Sequence, residues 1–170
     1  KSHLPTKIPS SSFASTKISR VFSTCSLSFY AIDDKDNVWC WGYNEHGELG
    51  LDNQENQFKP VLNKHLSQKG LQDISLGHTY GLGLTKDNVL WIWGQALYFG
   101  EDEHDLEVIS KPRISKAFEG KKIKSIAAGT YHAAVVDIEG CVYTWGEAMY
   151  GKLGDGKDQL KPQTVGHPVL

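Results

Sequence analysis

One unit can be laid over this chain three times, and nothing else in the sequence restricts its folding as strongly. The pair Trp-Gly occurs at Trp41-Gly42, Trp93-Gly94 and Trp145-Gly146, 52 residues apart at each step. Other landmarks keep the same phase. Gly129 falls on Gly77 and then on Cys25, and Ile126 falls on Ile74 and then on Phe22. Lys161-Pro162 has counterparts at Lys111-Pro112 and Lys59-Pro60. A repeat of this length is one supersecondary unit that cannot bury its hydrophobic faces alone and does so by stacking on its neighbours.

The repeat divides the chain into a leader over 1–17 and units over 18–63, 71–115 and 122–166. Each unit offers about four short strands and no useful helical period. In the first, Ser28-Phe29-Tyr30-Ala31-Ile32 is β-prone, Asp33-Asp34-Lys35-Asp36-Asn37 is a turn cluster that tolerates positive φ, and Val38-Trp39-Cys40-Trp41 follows. Alternation puts Trp39 and Trp41 on one face of that strand and Val38 and Cys40 on the other. Both faces are apolar, so the strand belongs inside a layered structure. The second unit repeats the logic with Trp91 and Trp93, the third with Tyr143 and Trp145. Four strands per unit, stacked face to face, make an all-β architecture of propeller blades, each a four-stranded antiparallel sheet. In the leader, Pro5-Thr6-Lys7-Ile8 reads either as the outer strand of a preceding blade or as part of a polar leader. The edges near Ile8 and Val165 are where open sheets would pair with another chain.

Composition narrows the function classes. A formal charge of −2 over 170 residues gives no basic excess, which argues against a direct nucleic-acid or anionic-membrane partner. Cys25, Cys40 and Cys141 are odd in number and form no Cys-Xaa-Xaa-Cys pair, as expected of reduced thiols in an intracellular protein of the cytoplasm or nucleus. No apolar run has the length of a membrane helix.

No glycine-rich loop leads into a helix, no Gly-Xaa-Ser-Xaa-Gly elbow is present, and the seven histidines show no metal-ligand spacing. The expectation is no catalytic residue, no cofactor and no metal. One segment breaks the repeat. Where the other units carry Gly-Xaa-Leu-Gly, the second carries Glu101, Asp102, Glu103, His104, Asp105, Leu106 and Glu107. Those acids are read either as a loop that receives a basic surface on a partner or as a solvated charged turn.

The run Ile-Ala-Ala-Gly-Thr-Tyr-His-Ala-Ala-Val-Val, with Glu-Gly-Cys-Val-Tyr-Thr-Trp-Gly and Gly-Lys-Leu-Gly after it, resembles the repeat of the regulator of chromosome condensation family. The resemblance covers nearly the whole chain. It implies a seven-bladed β-propeller of four-stranded antiparallel blades, of which about three are present here. It also implies that Trp41, Gly42, Gly77, Trp93, Gly94, Gly129, His132, Trp145 and Gly146 are architectural positions. The family histidine survives only as His132, with Tyr80 and Ser28 in its place elsewhere, so His132 is read as a buried hydrogen-bonding group of the scaffold and not as a catalyst. Two functions follow from the resemblance: a protein-interaction scaffold, or guanine-nucleotide exchange on a Ran-like small GTPase. The even spacing leaves little room for the inserted wedge of the family's exchange factors, and no basic tail is present. Self-association through open blade edges is a further expectation.

Overall fold

A computed structural model describes residues 4–23, 27–96, 99, 108–154 and 156, and the backbone of 163–169. Three four-stranded antiparallel sheets follow one another along the chain. The first holds β1 (Ile18–Ser23), β2 (Ser28–Asp33), β3 (Val38–Gly42) and β4 (Gln57–Leu62), the second β5 (Leu71–Leu76), β6 (Tyr80–Thr85), β7 (Leu90–Gln95) and β8 (Val108–Ile114). The third holds β9 (Ile123–Ala128), β10 (His132–Asp137), β11 (Val142–Gly146) and β12 (Gln163–Val169). Strand order within each sheet is the order in the chain. Among the described residues there is no α-helix, and none long and apolar enough to cross a membrane.

The tight turns between second and third strands repeat in detail. Asp36, Asn88 and Gly140, spaced at successive intervals of 52 residues, all take positive φ, at 61°, 68° and 88°. The side chain before each turn locks it. Asp33 Oδ1 accepts the amides of Lys35 and Asn37, both at 2.9 Å, and Asp137 Oδ1 accepts those of Glu139 and Cys141 at 3.0 and 2.9 Å. Thr85 stands at the equivalent place and its hydroxyl receives the amide of Val89. Burial pushes both aspartate carboxyls up, but the donors around them outweigh it and hold each below the usual carboxylate range.

A second irregularity also repeats. The ladder between third and fourth strands shifts register at Trp41, Trp93 and Trp145, and the glycine after each has φ of 113°, 101° and 104°. A β-carbon on Gly94 would overlap the Thr79 carbonyl in the neighbouring turn, the same carbonyl that receives the amide of Gln95 at 2.8 Å. Only glycine allows that approach. At Gly77 and Gly129 the obstacle is a ring, Tyr80 or His132. The first unit has Ser28 in place of the ring, and Cys25, which stands where those glycines do, lies outside the described residues.

The core lies between sheets. Each sheet has a leading face, which carries the aromatic-Xaa-Trp pair, and a trailing face. Trp93 on the leading face of the second sheet packs with Tyr30, Cys40 and Leu49 of the first and with the linker residue Leu66. Trp145 packs with Phe99, Leu82 and Ile92, and with the linker residue Phe118. Trp93 and Trp145 are 0% and 1% exposed. Phe13, in a single turn of 3-10 helix over Ser10–Phe13, sits edge-on to Trp39 and Trp41 at 5.8 and 5.9 Å. Phe118 holds the corresponding position on Tyr143 and Trp145, at 5.4 and 5.5 Å. Ile8 is exposed and lies in no strand.

Candidate functional site

Antiparallel order brings the first-to-second and third-to-fourth strand connections of every sheet to one end. That rim collects side chains that no strand pattern demands. His78 and Tyr131, in corresponding turns of the second and third sheets, meet edge-to-face at 5.6 Å, and the His78 amide donates to the Thr130 carbonyl at 3.0 Å. Tyr43 and His46 make a similar contact at 6.2 Å, and the Tyr43 hydroxyl donates to Glu45 at 2.8 Å, which pushes the phenol pKa up. Tyr150 is 87% exposed and takes φ 62°, a conformation unusual for a side chain of its size. Beside it, Lys152 and Glu147 form a half-buried ion pair at 2.7 Å.

Glu48 is the one buried carboxyl of this rim among the described residues. Its Oε2 accepts the His46 amide at 2.9 Å, and Oε1 has no hydrogen-bond partner. Burial raises its pKa, opposed by backbone donors and by the nearby imidazoles of His46 and His78. Its backbone is a junction between two sheets: the Glu48 carbonyl accepts Tyr30 Oη at 2.6 Å and Trp93 Nε1 at 2.8 Å. The turn Gly47-Glu48-Leu49-Gly50 thus seats on its own sheet and presents a carbonyl to the next. Sequence reading marked this motif as part of the repeat but not its role. Its recurrence as Gly151-Lys152-Leu153-Gly154 was the available signal.

His132 is half-buried. Its ring covers Gly129, its carbonyl receives the Tyr80 hydroxyl at 2.6 Å, and among the described residues its ring nitrogens have no hydrogen bond. Burial and then Lys152 lower its pKa, partly offset by Glu147. The acidic run Glu101, Asp102, Glu103, His104, Asp105 and Glu107 lies outside the described residues, in the connection between β7 and β8. Asp137, Glu139 and Cys141 bring three potential ligand atoms within 4.8 Å of one another at the opposite end. The Asp137 carboxylate is already engaged there by two amides and by Tyr143 Oη at 3.1 Å. That group closes a turn. Cys40 is buried and Cys141 half-buried, both as free thiols. Among the described residues the rim thus offers aromatic, imidazole and carboxylate groups suited to recognition.

Comparison with known proteins is consistent with this geometry. The regulator of chromosome condensation (RCC1) repeat matches residues 35–84 and 139–169, and a second description of the same repeat matches 123–151. The chain is 33% identical over 129 residues to the E3 ubiquitin-protein ligase HERC2 of Homo sapiens, a match that covers 74% of this chain and 3% of that protein. It is 32% identical over 163 residues to protein RCC1 of Candida albicans, covering 79% of this chain and 33% of that protein. Among solved structures, yeast RCC1 (Prp20) in complex with Kap60 superposes with a TM-score of 0.77 at 21% identity, over 90% of this chain and 37% of that one. The chain therefore spans no more than about a third of each of these relatives.

Proposed function

The chain belongs to the regulator of chromosome condensation repeat family, and from that premise we propose that it serves as a protein-interaction scaffold whose blades hold the loop-bearing rim against a protein partner in an intracellular setting. The observation that carries this reading is Tyr150. Its aromatic ring is 87% exposed at a φ of 62°, and exposed tyrosines serve well as anchors in interfaces. His78 and Tyr131 supply further rim groups of the same kind, and we include the acidic run from Glu101 to Glu107 as a recognition element for a basic surface. The test is quantitative retention of a bound partner by the immobilised chain and by two variants, Tyr150→Ala and the triple Glu101→Ala, Asp102→Ala, Glu103→Ala. Partner retention unchanged in both would remove the rim from consideration.

A second reading is favoured by the 32% identity to Candida RCC1 over 163 residues: guanine-nucleotide exchange on a Ran-like small GTPase. Such an exchanger needs no side-chain chemistry, because holding the nucleotide-poor conformation of the GTPase shifts its equilibrium. Release of a labelled guanine nucleotide, accelerated by sub-stoichiometric amounts of the chain, would support exchange over simple recognition. Release at the spontaneous rate, with the chain in excess, would leave recognition alone.

A further inference from the structure

One buried side chain pins the turn after β4 to the segment that follows β3. Asn63 Nδ2 donates to the Leu49 and Gly50 carbonyls at 2.7 and 3.0 Å, and its Oδ1 accepts the amides of His65 and Leu66 at 3.0 and 2.9 Å. Beside these segments, along β4, lies a cleft of about 300 Å³. Leu51, Val61 and Leu62 form its apolar wall. Leu51 and Val61 are half-buried and pack on the core between the first and second sheets, so an interface that this chain completes holds them in place. Leu62 is 37% exposed. Its counterpart Ile114 is 47% exposed although the first sheet lies over that face of the second, so exposure at this position follows from its place on an edge strand.

The polar lining consists mostly of donors. Among the described residues the Lys64 ammonium and the half-buried His65 imidazole have no hydrogen-bond or ionic partner, and no carboxylate lines the cleft. Asn53 Oδ1 accepts Asn44 Nδ2 and the Glu55 amide at 3.2 and 3.0 Å, which leaves its NH2 group, held only by a long bond to the Leu51 carbonyl at 3.4 Å. Gln57 donates its own NH2 to the Glu55 carbonyl at 3.1 Å, so its oxygen is left to receive an N–H.

We propose that this cleft binds the C-terminus of a peptide or protein partner whose last side chain is aliphatic, the terminal carboxylate accepting hydrogen bonds from Lys64, His65 and Asn53 and the side chain lying on Leu51 and Val61. The occupant is argued from charge and shape. A chain terminus carries a full negative charge one carbon away from its hydrocarbon side chain, so it meets the donors and the apolar wall together. An aspartate or glutamate side chain brings no such hydrocarbon with it. The volume, at the small end for a ligand pocket, suits the end of a chain and not a folded surface. This contact is separate from the rim and holds whether or not Tyr150 engages a partner.

Fluorescence anisotropy of the labelled peptide Gly-Ser-Gly-Leu-Val, titrated with the 170-residue chain, reads the binding. The expected result is saturable binding of the free acid, weakened about tenfold or more when the C-terminus is amidated, when the peptide ends in Gly-Gly, or when the chain carries Lys64→Glu. Lys64 is exposed, so that variant keeps the thermal transition of the parent chain. His65→Ala should weaken the free acid and leave the residual binding of the amidated peptide as it was. Absence of saturable binding would overturn the proposal, and so would equal affinity for acid and amide or a Lys64→Glu chain that binds as the parent does. An amidated peptide that carries its charge on an aspartate and binds as tightly as the free acid would also overturn it, since the cleft would then accept any anion.

Discussion

The hydroxyl of Tyr80 donates at 2.6 Å to the carbonyl of His132, the residue that stands 52 positions later at the same place in the next sheet. One repeat position thus reaches across to its own successor, and the repeat is both a period in the sequence and a contact in space. The Gly129 carbonyl also lies within reach, at 3.0 Å. Tyr80→Phe removes the hydroxyl but keeps the ring, and the His132 carbonyl retains the Gly129 amide at 2.7 Å. Urea denaturation should show a loss of about 1 kcal/mol, the net worth of a partly buried hydrogen bond. No measurable loss would mean that the contact is incidental.

The three repeat tryptophans are not energetically equal. Trp93 and Trp145 are sealed between sheets, whereas Trp41 is half-buried. Trp93→Ala or Trp145→Ala should therefore cost about 3–5 kcal/mol, the range for large aromatic deletions in a core. Trp41→Ala should cost clearly less. Equilibrium unfolding of the three variants, in which all lost the same amount, would contradict this ranking.

Gly94 and Gly120 both take positive φ, at 101° and 77°, but only Gly94 is crowded. A β-carbon on Gly120 meets nothing within 4 Å, so Gly120→Ala carries only the backbone penalty of about 1 kcal/mol. Gly94→Ala adds overlap with the Thr79 carbonyl and the Tyr80 backbone and should be destabilised well beyond that. Thermal melts of the pair separate backbone conformation from close approach.

Acid should weaken the turn locks first. Asp33 and Asp137 have folded-state pKa values below those of the unfolded chain, so their contribution is fully present above about pH 4 and is lost as pH falls through the folded values. Between neutrality and about pH 4 these two groups leave stability unchanged. In the double variant Asp33→Asn, Asp137→Asn, stability measured from pH 6 down to pH 2 should fall less steeply than in the parent chain. An identical slope would show that other carboxylates govern acid unfolding.

How much was legible beforehand depended on whether the feature was local. The turn residues Asp36, Asn88 and Gly140 and the same-face pair Trp91 and Trp93 announce themselves because positive φ and strand alternation act over a few residues. Asp33, Thr85 and Asp137 also recur every 52 residues and could have been read as turn locks, but an acid beside a polar turn looks like solvated charge until the donors around it are counted. Phe13 was hidden in a serine-rich leader. Its equivalence to Leu66 and Phe118 appears only once all three lie against tryptophans.

By itself the sequence determined the family, the all-β class and the four-stranded antiparallel blade, because periodicity, alternation and turn chemistry are written at short range and repeated three times. Tertiary structure alone decided which groups are satisfied. The Glu48 carbonyl meets Trp93, 45 residues away, and Tyr80 meets His132. Such pairings depend on how one sheet is set against the next, and that setting follows from the packing of whole faces, which no single stretch of residues encodes.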